Sequence, residues 1–388
     1  MLNVANNQSE VFPVKNPFEI RSALSKFLIS AILTMSILAG CKKDDPVTPN
    51  PNSDIPVDSG GAAPATTVNN ITTIGATFQK TPGNESRVQI NMLGVLHPIT
   101  GQPIQFTANS SVWVTEDSVL KGIKVTAAGG GTVLGADVVF VVDNSGSMGQ
   151  EADSVARKII AFANFLEASG LNVRLGCVGH GRGSDQRVYG ALNLTSANAL
   201  QTYLNRTTVA LSRTVGFSGP DSAALAAASL AGFYSSGGGE NSVIGITFAD
   251  SLFSWRSNAN RVYVAFTDEP TQPGGSMFWS TQGLISRWTT AKGTIHTVYS
   301  EDTVGRTWTP LQNERPWDLA TLTGGTKRFI PSNAAGLDLT TLPVTTALAS
   351  SALIEFVSAN PNIAHNVTIT VKGATTADGK KRFTNITY

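Results

Sequence analysis

The apolar positions of this chain follow two rhythms. In the middle third, uninterrupted apolar runs alternate with segments of helical period. Val138-Val139-Phe140-Val141-Val142, Val173 to Val178 and Val262 to Phe266 are almost free of polar residues, and Thr294 to Tyr299 continues the series. Runs of this length and composition predict strands covered on both faces. Between them, Glu151 to Ser169 places Val155, Ile159, Phe162 and Phe165 at helical spacing, Asp221 to Phe233 is rich in Ala and Leu, and Val243 to Leu252 is helix-like. Strands alternating with helices predict an α/β architecture, a doubly wound, mostly parallel sheet.

The two flanks have the other rhythm. Arg87 to Met92, Pro103 to Thr107, Ser111 to Val114 and Gly122 to Val125 are short strand-like runs separated by turn residues. Ala352 to Val357 and Asn366 to Lys372 repeat the pattern after the α/β segment, with a hairpin marked at Ala377-Asp378-Gly379-Lys380 and a return over Arg382 to Thr387. Two β groups at opposite ends suggest one all-β sandwich-like region into which the α/β segment is inserted, since the ends of a sheet domain can lie close together; two separate β extensions are the other arrangement. The expected divisions are 1–40 as a signal segment, 41–70 as a flexible tether, 71–134 as an N-terminal β region, 135–347 as the α/β domain, and 348–388 as a C-terminal β region pairing with 71–134.

The richest chemistry follows the first apolar run. Asp143-Asn144-Ser145-Gly146-Ser147 sets one carboxylate and two hydroxyls at the C-terminal end of a buried strand, the edge where open α/β sheets bind ligands. An all-oxygen set of this kind suits a hard divalent cation. Gly237-Gly238-Gly239-Glu240-Asn241-Ser242 precedes a helix, and Val262 to Thr267 ends in Asp268. Taken separately, Glu240 can be an acid favoured at a helix N-terminus and Asp268 a turn residue.

Together these pieces resemble the von Willebrand factor type A family. "DVVFVVDNSGSM" is similar to that family's first strand and metal loop, and Glu240, five residues before Gly245 and six before Ile246, falls at the spacing of its second loop. A Glu in place of Thr resembles the integrin β-subunit version. Leu319 to Gly325 is similar to the end of the family's domain, so the resemblance covers about residues 136–345. It implies a metal-ion-dependent adhesion site in which Asp143, Ser145, Ser147, Glu240 and Asp268 hold Mg²⁺ (or Mn²⁺ or Ca²⁺), leaving a position for a carboxylate of a protein ligand. Glu151 stands where integrin β subunits hold a second cation, although Gln150 departs from that pattern; an acid in the first turn of a helix is the other reading.

The N-terminus changes the setting. Arg21 and Lys26 precede the apolar run Phe27 to Leu38, followed by Leu38-Ala39-Gly40-Cys41. The run is short for a membrane span, which takes roughly 20 residues, and reads as a secretory signal. The last four residues resemble a bacterial lipobox, which implies cleavage before Cys41 and lipidation of that residue. Lys42-Lys43-Asp44-Asp45 resembles the surface-export signal of Bacteroidetes lipoproteins, or is simply a solvated start to the tether. The expectation is an outer-membrane lipid anchor displayed on the cell surface, with the periplasmic face as the alternative.

Charge and cysteine content exclude more than they suggest. Beyond residue 40 the chain has 25 basic and 25 acidic residues, and no basic cluster larger than Lys380-Lys381-Arg382, so nothing points to nucleic acid. Cys177 is the only cysteine besides Cys41 and reads as a buried inert thiol. The four histidines (His97, His180, His296 and His365) share no zinc-ligand spacing, and His180 is expected in a loop. Ser145 and Ser147 lack a nucleophile elbow. The expected function is therefore not enzymatic. It is metal-dependent binding of a protein ligand by a surface lipoprotein, with a scaffold subunit of an envelope complex or a regulatory domain of a secreted enzyme as alternatives.

Overall fold

The computed structural model describes residues 49–128, 134–149, 152–182, 185–204, 234–235, 239–289, 292–300 and 305–388. Fifteen strands and six α-helices fall among them. Five strands precede the middle segment: β1 (Ala76–Thr81), β2 (Asn84–Met92), β3 (Val112–Glu116), β4 (Val119–Leu120) and β5 (Lys124–Ala127). The middle segment holds β6 (Gly135–Asp143), α1 (Ala152–Ala168), β7 (Asn172–Arg182), β8 (Asp185–Thr195), α2 (Ala197–Leu204), β9 (Tyr234–Ser235), α3 (Ser242–Leu252), β10 (Ala259–Thr267), α4 (Thr281–Ser286), β11 (Thr294–Tyr299), α5 (Asp318–Thr323) and β12 (Lys327–Phe329). After it come α6 (Pro343–Ala349), β13 (Ala352–Val357), β14 (His365–Gly373) and β15 (Ala377–Ile386).

These strands form three sheets. Two are four-stranded and antiparallel, ordered β1-β2-β13-β5 and β15-β14-β3-β4. The third is seven-stranded, ordered β12-β11-β10-β6-β7-β8-β9. It is mixed: its first five members run parallel, whereas β8 and β9 pair antiparallel. The expectation of a doubly wound, mostly parallel α/β chain is therefore corrected. The molecule is β-rich, with two fully antiparallel sheets and one mixed one. Apolar runs report that a strand is buried but not the direction of its neighbour. Asp185 to Thr195, to which the sequence pattern assigned no element, forms a long antiparallel strand against β7.

The two antiparallel sheets combine strands from both flanks. β13 lies between β2 and β5, and β14 pairs with β3. Alternate residues of each strand point inward. Val88, Ile90 and Met92 meet Val112, Val114, Ile354, Phe356, Val367, Ile369, Val371 and Phe383 in one buried cluster. Phe78 and Phe383 touch edge to face at 5.1 Å. Pro103 to Thr107 forms only an isolated bridge from Pro103 to Leu96 rather than a strand.

The segment assigned by composition to a tether is seated from residue 51 onward. Asp54 pairs with Arg87 and Lys124, each at 2.7 Å, Asp58 accepts from Lys121 at 2.6 Å, and Ile55 is buried. Farther along, the Asp378 carboxylate accepts from the backbone N–H of Thr67, Val68 and Asn69 at 2.8, 3.0 and 2.7 Å. Those hydrogen bonds hold its carboxyl below the usual carboxylate range. Asp378 was expected in a hairpin turn; the turn instead lies at residues 374–376, and Asp378 is the second residue of β15. A Pro- and Asp-rich segment cannot build a core of its own, but its acids find cations and N–H groups on a sheet made elsewhere in the chain.

The mixed sheet is covered on both faces. Val138, Phe140 and Val142 of β6 face a cluster that includes Ile159, Phe162, Leu200 and Leu348. Val139 and Val141 face Ile244, Phe248, Leu284 and Leu319. Cys177 is buried in β7 and forms no disulfide among the described residues. Among the described residues no helix is long and apolar enough to cross a membrane. The shared core of the antiparallel sheets sets a test. Phe383→Ala, on the last strand, should destabilise folding by about 3–5 kcal/mol, the usual cost of an aromatic deletion in a packed core. Denaturant unfolding followed by circular dichroism measures it; a cost under about 1 kcal/mol would mean the sheets do not share that core.

Candidate metal centre

β6 is buried along its whole length and lies between β7 and β10, parallel to both. Its one carboxylate at the C-terminal end, Asp143, therefore emerges beside the ends of two neighbours. Phe266 pairs with Val142, which brings Thr267 alongside Asp143 and puts Asp268 at the same edge. On the other side Asp143 pairs with His180.

The loop after β6 folds around the Asp143 carboxylate. Oδ1 accepts from the Ser145 backbone N–H at 2.9 Å, the local turn that Asp favours. Oδ2 accepts from the Thr267 hydroxyl at 2.8 Å. The Asn144 N–H donates to the His180 carbonyl at 2.6 Å, fixing the direction of the loop. Ser145 Oγ and Ser147 Oγ are then brought within 2.9 Å of each other.

Glu240 arrives from the opposite side. Asn241 caps α3 by accepting from Val243 N–H at 3.0 Å, and its amide donates to the Trp279 carbonyl at 2.9 Å. The Glu240 backbone is clamped in both directions by Gln272: Glu240 N–H donates to Gln272 Oε1 at 3.1 Å, and Gln272 N–H donates to the Glu240 carbonyl at 3.0 Å. Gly239, at φ +125°, is what lets Gln272 approach, because a Cβ there would lie 1.3 Å from Gln272 Oε1. The Glu240 side chain takes a hydrogen bond from Ser145. A Cβ on Gly181 would meet Glu240 Cγ at 3.1 Å and Asp143 Oδ1 at 3.3 Å. Glu240 and Asp143 thus converge over one glycine of β7.

The structure brings together Asp143, Ser145, Ser147 and Glu240 in this way, with Asp268 buried at the same edge. Cys41 and Glu151 lie outside the described residues. Burial pushes the Asp143 carboxyl well above its ordinary range, and the charges of Glu240 and Asp268 add to it. Glu240 is pushed up to about 7, first by burial and then by Glu269 and Asp268. Among the described residues no salt bridge reaches Asp143, whereas Asp137, six positions earlier on the same strand, is satisfied by Arg256 at 2.6 Å.

The donor set fits a hard divalent cation. It is made of oxygens only, and acids that oppose one another's ionisation are relieved by added positive charge. It is not a cage of strong ligands: among the described residues no group of three or more His, Cys, Asp and Glu is placed to hold a metal. A cation held here would need the two serine hydroxyls and water to complete its sphere.

Thr267, Gln272, Glu269 and Arg306 were not read from the sequence as contributors, and His180 was placed in a loop. Thr267, next to Asp268, could have been noticed from position alone. Gln272 and the Glu269–Arg306 pair at 2.9 Å depend on how loops meet. His180 was expected in a loop and instead lies in β7, buried, with neither ring nitrogen bonded among the described residues. Burial lowers its pKa to about 3, so the ring is neutral.

No family model matches the chain, and no curated protein matches it. Two solved structures of the pilus adhesin SpaC from Lactobacillus rhamnosus GG resemble it distantly. The one in the open conformation is 11% identical with a TM-score of 0.33, and the other is 12% identical with a TM-score of 0.30. Each likeness covers 81% of this chain and 47% and 48% of the respective adhesin, so the chain spans about half the length of the structures it matches. Both neighbours are adhesins, but a likeness this distant carries no argument about the site.

The crowded acids predict a pH response in EDTA. A Glu240 that titrates near 7 in the folded protein and near 4.5 when unfolded keeps its proton longer in the folded state. Stability should therefore fall as pH rises from about 4.5 to about 7. Glu240→Gln should flatten that slope in thermal melts, and an equal slope in both proteins would exclude Glu240 as its source.

Proposed function

We propose that this protein is a surface-anchored bacterial lipoprotein that binds a protein ligand through a divalent cation held by Asp143, Ser145, Ser147, Glu240 and Asp268. The observation that supports this most is the convergence of Asp143 and Glu240 over Gly181 with two serine hydroxyls 2.9 Å apart. The resemblance to the von Willebrand factor type A metal-ion-dependent adhesion site is carried here for the site and its chemistry. The bound cation would supply a position for a carboxylate from the partner. The protein's own part is to hold its donors apart, through the Gln272 clamp and the Thr267 hydrogen bond, so that they need little rearrangement on binding. The function is adhesion or protein–protein contact, with no turnover.

Asp143→Ala should abolish Mg²⁺ and Mn²⁺ binding in calorimetry and leave the protein folded, because the residue ends its strand at the sheet edge. Glu240→Thr should keep the cation with altered affinity, one charge being exchanged for a hydroxyl. Equal Mg²⁺ binding by the parent and Asp143→Ala would remove the cation from the reading.

The anchor is a separate part of the proposal and rests on Leu38-Ala39-Gly40-Cys41. In cells fed a fatty-acid analogue, Cys41→Ser should lose the label that the parent incorporates. Label retained in Cys41→Ser would mean that the protein is not lipidated at this residue.

A further inference from the structure

Where the strap of residues 51–69 meets the antiparallel sheets, one lysine stands between two carboxylates. Lys121 directly follows β4 and is 4% exposed. Its Nζ lies 2.6 Å from Oδ2 of Asp58, on the strap, and 3.5 Å from Oε2 of Glu116, at the end of β3. Glu116 is buried as well, whereas the Asp58 side chain is 37% exposed and forms the outer lip of the group. The Phe356 ring lies 5.8 Å from the ammonium, and Tyr388 packs on Phe356 at 6.0 Å, so aromatic rings line the inner side.

Backbone aims Asp58 at this nitrogen. Oδ1 accepts from the Gly122 N–H at 2.9 Å, one residue beyond Lys121, while Oδ2 faces Nζ. The strap comes this close because residue 122 is a glycine: a Cβ there would lie 1.9 Å from the Pro56 carbonyl oxygen and 2.7 Å from that of Val57. Glu116 is held too. Tyr388 donates its hydroxyl to Oε1 at 3.0 Å, and Oε2 is the oxygen nearer Nζ. Each acid therefore has one oxygen tied elsewhere and the other turned to the same nitrogen. A simple ion pair needs neither the second buried carboxylate nor so close an approach of the strap.

We propose that Lys121 and Asp58 condense into an isopeptide bond, with Glu116 as the proton carrier. Nζ gives one proton to Oδ2, and its lone pair attacks Cγ of Asp58. Glu116 Oε2 then takes a second proton from the nitrogen and passes it to Oδ2, which leaves as water when its bond to Cγ breaks. Oδ1 remains as the amide carbonyl, with the Gly122 N–H still donating to it, and Nζ keeps its third hydrogen. The ammonium and the carboxylate supply every atom of the amide and the water, so no oxidant or activating group is consumed. Fixed placement of the reacting atoms is what the fold contributes to the rate.

The product is uncharged, which removes the cost of holding an ammonium in a buried position. It also ties position 58 to position 121, and a cross-link of that span restricts the unfolded chain as a disulfide does. Among the described residues no disulfide takes that part. The bond uses none of Asp143, Ser145, Ser147, Glu240 and Asp268, so it is independent of the cation reading.

The full-length protein is denatured in guanidinium chloride, which separates an ion pair but not an amide, and is then digested with trypsin. Trypsin does not cut after a lysine that is amidated on Nζ. The expected product is a branched peptide in which residues 44–80 are joined to residues 88–124, lighter by one water than the two apart. Tandem mass spectrometry should place the junction at Asp58 and Lys121. Lys121→Arg, which keeps the positive charge, should lose the branched peptide entirely, and Glu116→Gln should lose most of it. Separate peptides 44–80 and 88–121 from the parent overturn the proposal whatever the variants do, as does a branch between any other pair of residues. A branched peptide as abundant in Glu116→Gln as in the parent overturns the proton transfer through Glu116.

Discussion

A strand buried on both faces has nowhere to place a polar side chain except at its ends, and β6 obeys that constraint. Its interior is apolar, and its two aspartates stand near opposite ends. Asp137 is fully buried and takes the Arg256 guanidinium, which also donates to the Ala136 and Asn172 carbonyls at 2.9 and 2.8 Å. A buried carboxylate with a fitted guanidinium is a closed unit. Asp143, at the other end, has an N–H and a hydroxyl but no basic partner among the described residues. One strand therefore carries an acid paired with a guanidinium and an acid that burial and its acidic neighbours disfavour as an anion, and the direction of the strand decides which edge of the sheet has the second.

The flanks do for the chain what β6 does for the site. Strands that are far apart in sequence share two antiparallel sheets, with β13 between β2 and β5 and β14 against β3. These contacts close the middle segment between strands that pair with each other. The polar stretch near residues 51–69 is drawn onto the same sheets by Asp54, Asp58 and Asp378, which use cations and backbone N–H groups that only the assembled sheets present together.

Much of this was legible in the chain. β6, β10 and β11 coincide with apolar runs, and α1 and α3 with helical spacing, because burial is written into side-chain polarity. The loop Asp143 to Ser147 was legible for the same reason: polar residues directly after an apolar run mark where a strand surfaces. What misled was direction and partner. Apolar runs do not distinguish a mixed sheet from a parallel one, so β8 was missed and the fold class was read as doubly wound. Composition marked residues 51–69 as loose, although a local count of turn-forming residues cannot register an ion pair such as Asp54–Arg87, formed across the fold. His180 was placed in a loop because its glycine neighbours suggest one, while its pairing with Asp143 requires the sheet register.

The sequence by itself determined which segments are buried, where the central strand ends, and that oxygen donors gather at that end. Those are local properties, set by the polarity and order of neighbouring residues. Only the tertiary structure decided that Glu240 meets Asp143 over Gly181 and that Gln272 clamps Glu240. Each of these joins residues on different loops, and their meeting is fixed by strand order, register and the space that side chains leave, none of which any single stretch of sequence contains.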